Sequence, residues 1–254
     1  MAAPHRPATS QTTSGPPQGD TLARIRSELA ALADSAYRAF QAKLVPTVEP
    51  ERILGVRTPA LRSYARTLAR KRADEARTFL ATLPHELYEE NNLHGELIGL
   101  MAQTPEEAVQ LLDAFLPLVD NWATCDLIRV PAFKRDLPAA LRAVRRWIAA
   151  QAEYMVRFGV VTLMELFLGE AFEPEHLQLV AGIERPEYYI NMARAWYFSF
   201  ALIKQPAATY PLFEARPPVL DRWTHNKALQ KARESRRISP EEKERLQALK
   251  IPVR

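Results

Sequence analysis

Asn121-Trp122-Ala123-Thr124-Cys125-Asp126 places an indole and a carboxylate four residues apart. On a helix both would face the same way. An indole beside a carboxylate is an unusual core pair, and its plain alternative is a half-buried Trp next to a polar helix end. Glu153-Tyr154-Met155-Val156-Arg157-Phe158 opens an otherwise apolar stretch, with Arg157 at a core-facing position. A guanidinium among apolar neighbours needs an anionic partner. Asp126, Glu153 or a ligand phosphate would serve. In the aromatic-dense segment from Tyr188 to Tyr197, Tyr189, Met192 and Trp196 lie near one helical face. Such rings beside basic residues can stack on sugars or bases, or simply pack a core. Cys125 has no nearby His to act as its base, which argues against a nucleophile. Glu90 and His94 have the spacing of two metal ligands but no third, so neither metal nor cofactor is expected.

The elements that must position these residues read as helices throughout. Only 8 glycines occur in 254 residues, too few for a fold built on tight β-turns. Most of the 20 prolines outside the N-terminus sit where helices begin. Residues 1–19 are rich in Pro, Ser, Thr and Gln, and read as a disordered tail. Asp20 is then expected to cap a helix from Thr21 to about Lys43, with Leu22, Ile25, Leu29 and Leu32 on its apolar stripe. Thr58-Pro59 should open a helix to about Lys71. Segments 74–83 and 87–101 follow. Thr104-Pro105-Glu106-Glu107 is a capping box. Asn121 should cap a short helix, and segments 137–150 and 153–167 should form an antiparallel pair. Pro174, Pro186, Pro206, Pro217 and Pro240 each mark a further helix start. Some twelve helices on short loops predict an all-α protein, arranged as a HEAT-like α-solenoid of stacked antiparallel helix pairs. Residues 20–254 would form one such domain. No strict sequence repeat is visible.

Charge is placed by helix. Arg62, Arg66 and Arg70 recur at one face of one helix, and Arg142, Arg145 and Arg146 share a face of another. From Trp223 to Lys250 eight basic residues, Lys227 and Lys231 among them, stand against four acidic ones. That local excess equals the whole chain's formal net charge of +4. Such rows suit a polyanion, although each alone also fits a solvated face. The single cysteine excludes an internal disulfide, and no apolar run approaches a membrane span. A cytoplasmic monomer is the expectation.

Five segments together resemble the AlkD-like DNA alkylation repair family, in a divergent branch. They are Leu54-Gly-Val-Arg-Thr-Pro-Ala-Leu-Arg62, Asn121–Asp126, Val156-Arg-Phe-Gly-Val160, Tyr188-Tyr-Ile-Asn-Met-Ala-Arg-Ala-Trp196 and Asn226-Lys-Ala-Leu-Gln-Lys231. The resemblance runs from about Tyr37 to the C-terminus. It implies a HEAT-like solenoid with a basic groove for double-stranded DNA, and excision of cationic N3- or N7-alkylated purines without a base-flipping pocket. It assigns the site to Trp122, Asp126, Arg157 and Trp196, with Arg157 on a backbone phosphate and Tyr37 as a further aromatic of the groove. The alternative is a non-catalytic HEAT-repeat binder of damaged or branched DNA. A protein scaffold with basic rows scattered around the solenoid is a third reading.

Overall fold

The computed structural model describes residues 18–252. Helices α1 (Gln18–Ala31), α2 (Ser35–Leu44), α3 (Thr58–Lys71), α4 (Ala73–Leu80) and α5 (Tyr88–Met101) are followed by α6 (Pro105–Phe115) and the short α7 (Trp122–Leu127). Then come α8 (Leu137–Ile148), α9 (Glu153–Phe167), α10 (Pro174–Ala181), α11 (Tyr188–Lys204), α12 (Pro206–Glu214), α13 (Arg222–Glu234) and α14 (Pro240–Ala248). No strand occurs among the described residues. The all-α expectation holds. The expected tail lies outside the described residues, apart from Gln18 and Gly19, which open α1.

The single helix expected over 21–43 is instead two. Asp20 sits in the first turn of α1 rather than capping it, and the break falls at Leu32–Asp34. Asp34 decides the break, because its carboxylate caps α2 by accepting from the Tyr37 amide at 3.0 Å. Its own amide donates to Gly55 O at 3.0 Å, beside an isolated bridge between Ala33 and Val56. A non-local backbone pairing thus wins over a continuous apolar stripe. Thr104 and Asn121 cap α6 and α7 as expected, accepting from the Glu107 and Thr124 amides. Arg57, not Thr58, precedes α3, with Pro59 in its first turn.

The odd-numbered helices from α3 to α13 contact one another in chain order: α3 on α5, α5 on α7, α7 on α9, α9 on α11, α11 on α13. The even-numbered helices pack beside them. One apolar cluster extends from Ile25 to Leu246, with Phe79, Phe115, Phe133, Trp147, Tyr197, Phe198 and Phe213 as its bulkiest side chains. The first turns of α5, α7, α9, α11 and α13 carry Tyr88, Trp122, Tyr154, Tyr188 and Trp223. These rings recur at spacings of 32 to 35 residues, a near-repeat that becomes visible only once the helix boundaries are known.

The segment 53–57 is held by a buried carboxylate. Glu89, with no exposed surface, accepts backbone hydrogens from Leu54 (2.8 Å), Gly55 (2.7 Å) and Val56 (3.1 Å). Gly55 has φ +91°, and a Cβ there would lie 2.5 Å from Asp34 O. Only glycine meets both constraints.

Candidate functional site

Helix α7 is six residues long and could not stand alone. Buried polar contacts fix it. The Asn121 side chain caps the Thr124 amide at 2.8 Å and donates to Thr124 Oγ1 at 3.0 Å, and Thr124 Oγ1 donates to Asn92 Oδ1 of α5 at 2.6 Å. Cys125 is fully buried, with its thiol donating to Tyr154 O at 3.4 Å. Burial pushes that thiol well above its ordinary pKa, in keeping with a packing role. These contacts leave Trp122 and Asp126 half-buried at the edge of α7.

Asp126 and Arg157 form a bidentate pair. Arg157 Nε donates to Oδ1 at 2.8 Å and Nη2 to Oδ2 at 2.6 Å. Nη1 of Arg157 donates to Tyr189 O of α11 at 2.8 Å, so one guanidinium ties α7, α9 and α11 together. The Arg157 side chain is 5% exposed and that of Asp126 14%. Burial opposes the charge on Arg157, but the Asp126 carboxylate more than offsets it and holds the guanidinium above its ordinary pKa. Of the three partners open to Arg157 by sequence, the structure selects Asp126. Glu153 instead accepts from the Tyr189 amide at 3.2 Å. In this arrangement Arg157 positions the carboxylate rather than facing open surface.

A second carboxylate lies close by. Glu165, two turns after Arg157 on α9, pairs with Arg129 at 2.9 Å. Burial raises its pKa, Arg129 counters this, and the negative charge of Asp126 adds to the rise. Arg129 also donates to Asp126 O at 2.6 Å and Ile128 O at 2.8 Å, closing the C-terminal end of α7. Arg129 and Glu165 escaped sequence reading; the only available signal was the eight-residue step from Arg157, which returns Glu165 to nearly the same helical face.

Trp122 Nε1 donates to Leu44 O at 3.0 Å, and the indole packs between the main core and a smaller cluster of Val45, Val48, Ile53 and Tyr88. Trp196 is half-buried on α11, edge-on to Phe200 at 6.2 Å. It lies two turns, about 10 Å, along the helix from Tyr189. Tyr37 lies under the Arg57 guanidinium at 4.9 Å.

The basic rows are not brought to one place. Arg62 is paired with Glu96 at 2.7 Å. Arg66 and Arg70 line a cleft of about 720 Å³ with Arg77, Leu100 and Met101, beside the C-terminal ends of α3 and α5. Trp122, Asp126 and Arg157 sit instead on α7 and the first turns of α9. On α8, Arg142 and Arg146 border a depression shared with α6, Arg146 pairs with Asp113 at 2.6 Å, and the field of Arg145 reaches His176 of α10. All of these are even-numbered helices. Of the three rows, the α13 row is the one whose charge is felt with that of Arg157. Burial, Lys227 and then Arg157 each lower the Lys231 pKa, against an opposing pull from Glu234, which places Lys231 within electrostatic reach of Arg157.

Aromatic rings connect the same elements. Tyr154 and Tyr189 are 5.7 Å apart between centroids, Tyr189 and Tyr188 5.1 Å, Tyr188 and Trp223 5.6 Å. The run passes from α9 through α11 to α13. Among the described residues no group of three or more His, Cys, Asp or Glu is arranged to hold a metal ion, and no helix is long and apolar enough to cross a membrane.

The chain is all-helical, with an ion-paired carboxylate set among aromatic and basic side chains. The family model for the DNA alkylation repair enzyme matches residues 25–232, and the chain belongs to this AlkD-like DNA alkylation repair family. No curated protein and no solved structure matches the chain.

Proposed function

We propose that this protein is a DNA N-glycosylase that releases cationic N3- or N7-alkylated purines from double-stranded DNA. The observation that carries the reading is the Asp126 carboxylate, held in a fixed orientation by Arg157, with Trp122 on the same short helix and Tyr189 bonded to the same guanidinium. An alkylated purine carries a positive charge and leaves as a neutral base when its bond to the sugar breaks. The bonding electrons go to the base, and the sugar becomes an oxocarbenium-like cation. A fixed carboxylate stabilises that cation and orients the water that adds to it, with the water's proton passing to solvent. Indole and phenol faces favour the cationic nucleotide before cleavage. The leaving base needs no acid and no enclosing pocket.

We further read the helix order as a HEAT-like solenoid forming one domain. The stepwise packing of the odd-numbered helices and the 32- to 35-residue recurrence of their first-turn aromatics support this. Trp196 and Tyr37 remain assigned to the groove by family resemblance.

A duplex carrying 7-methylguanine tests the activity. Base release should exceed the spontaneous rate and fall at least about 100-fold in Asp126→Asn. No release above background at saturating protein overturns the reading. The second reading, a binder of damaged or branched DNA without turnover, draws on the fact that Arg157 engages both Asp126 oxygens. It expects tight, salt-dependent binding of the same duplex with the base retained.

A further inference from the structure

The Tyr188–Trp223 pair stands at the open end of the aromatic run. Tyr188 is 56% exposed and Trp223 42%, with their rings edge to face at 5.6 Å. Two large adjacent rings left in water forgo the burial that places most such side chains in cores. Neither is a loose end. Asp221 caps α13 by accepting from the Thr224 amide at 2.9 Å, and it pairs with buried Arg194 of α11 at 2.8 Å. Arg194 in turn donates to Val180 O and Ala181 O at 3.2 Å. The first turn of α13 is therefore clamped to α11, and the ring pair is preorganised.

Trp223, Lys227 and Lys231 follow at four-residue steps, so the two ammonium groups continue the face that begins with the indole. This line leads from the ring pair to Lys231, whose ammonium feels the charge of Arg157. A polyanionic strand following the lysines would bring its bases to Trp223.

We propose that Tyr188 and Trp223 form a stacking platform for an unpaired base of DNA, with Lys227 and Lys231 holding the flanking phosphates. The proposal rests on the DNA reading above and sharpens it. The protein would favour DNA in which a nucleotide next to the lesion has left the stack, because every base offers a ring face and a paired base hides it. Stacking on aromatic side chains gives at least about a fivefold gain per base. The charge of Lys227 and Lys231 selects a nucleic acid over an apolar protein partner.

The test uses the full chain and a fluorescein-labelled duplex, either fully paired or carrying one unpaired thymine, titrated by anisotropy at low salt. The unpaired thymine should tighten binding about tenfold. Trp223→Ala should abolish that preference while binding the paired duplex as wild type does, and Trp223→Phe should keep most of it. Indole emission should be quenched more by the bulged duplex than by the paired one, and that difference should vanish in Trp223→Phe. Equal affinity of the wild type for both duplexes, or an unchanged preference in Trp223→Ala, overturns the platform and leaves the DNA reading standing. Failure to bind either duplex overturns the DNA reading as well. Circular dichroism of each variant separates loss of the platform from loss of the fold.

Discussion

Asp126 and Arg157 depend on each other. With both present, the charges are mutually satisfied and Tyr189 O accepts a third guanidinium hydrogen bond. Removing one partner strands the other in a site with little water. Arg157→Ala should lower unfolding stability by about 3–5 kcal/mol, read as a shift of the urea midpoint. Arg157→Lys should recover only part of it, since an ammonium cannot reproduce the bidentate fork. An unaltered midpoint in Arg157→Ala would mean that the pair does not hold α7 and α9 together. Asp126→Asn keeps the shape but leaves the buried Arg157 charge unpaired and turns one acceptor into a donor facing a guanidinium N–H, so it should lower the urea midpoint as well as base release.

Two elements carry predictions of their own. The 53–57 segment hangs on Glu89, so Glu89→Ala would leave three amides unsatisfied. At about 1–3 kcal/mol for each, the loss should exceed 3 kcal/mol and lower the melting temperature, measured by calorimetry. This explains why Leu54-Gly55-Val56 looks like a functional motif while its role here is structural. The α4–α5 junction buries a histidine pair, with His85 Nε2 and His94 Nδ1 2.9 Å apart and the rings stacked on Phe79 and Phe115 at 4.3 Å. Burial lowers His85 to about 4, and burial with the neighbouring His85 lowers His94 to about 3. Both folded values lie below the ordinary histidine value of about 6.5. Below that pH the unfolded chain binds protons that the folded chain refuses, so stability falls as pH drops from 6.5 towards 4. Each histidine contributes about 1.4 kcal/mol per pH unit at full slope. Urea midpoints at pH 7 and 4.5 should show the decline, and His94→Leu should flatten it.

At the scale of the whole molecule the basic residues are unequal. Glu96 neutralises Arg62 and Asp113 neutralises Arg146, whereas among the described residues no carboxylate lies within salt-bridge distance of Lys227 or Lys231. Lys231→Ala should therefore weaken duplex binding several-fold and reduce the slope of log affinity against log salt by about 1, while Arg62→Ala changes both less. Anisotropy titrations at several salt concentrations would read both quantities, and equal effects of the two variants would show that the odd-helix edge is not the DNA track.

Helix class and most helix starts were legible from local patterns alone. Pro59, Thr104, Asn121, Pro174, Pro206 and Pro240 each mark a start through their own backbone chemistry. The candidate residues Trp122, Asp126 and Arg157 were legible as types out of place, a carboxylate beside an indole and a guanidinium among apolar neighbours. Their pairing was not, because a contact spanning 31 residues depends on how α7 lies against α9. The same holds for the Glu89 clasp and the Arg129–Glu165 pair, each made by residues far apart in the chain, whereas the Asp34 cap is a local signal that the continuous apolar stripe masked. Local sequence determines where helices begin and which faces are apolar, since caps and periodicity act over a few residues. Only the tertiary structure decided which cations are already spent on carboxylates and which stand beside Asp126, since charges cancel through space and not along the chain.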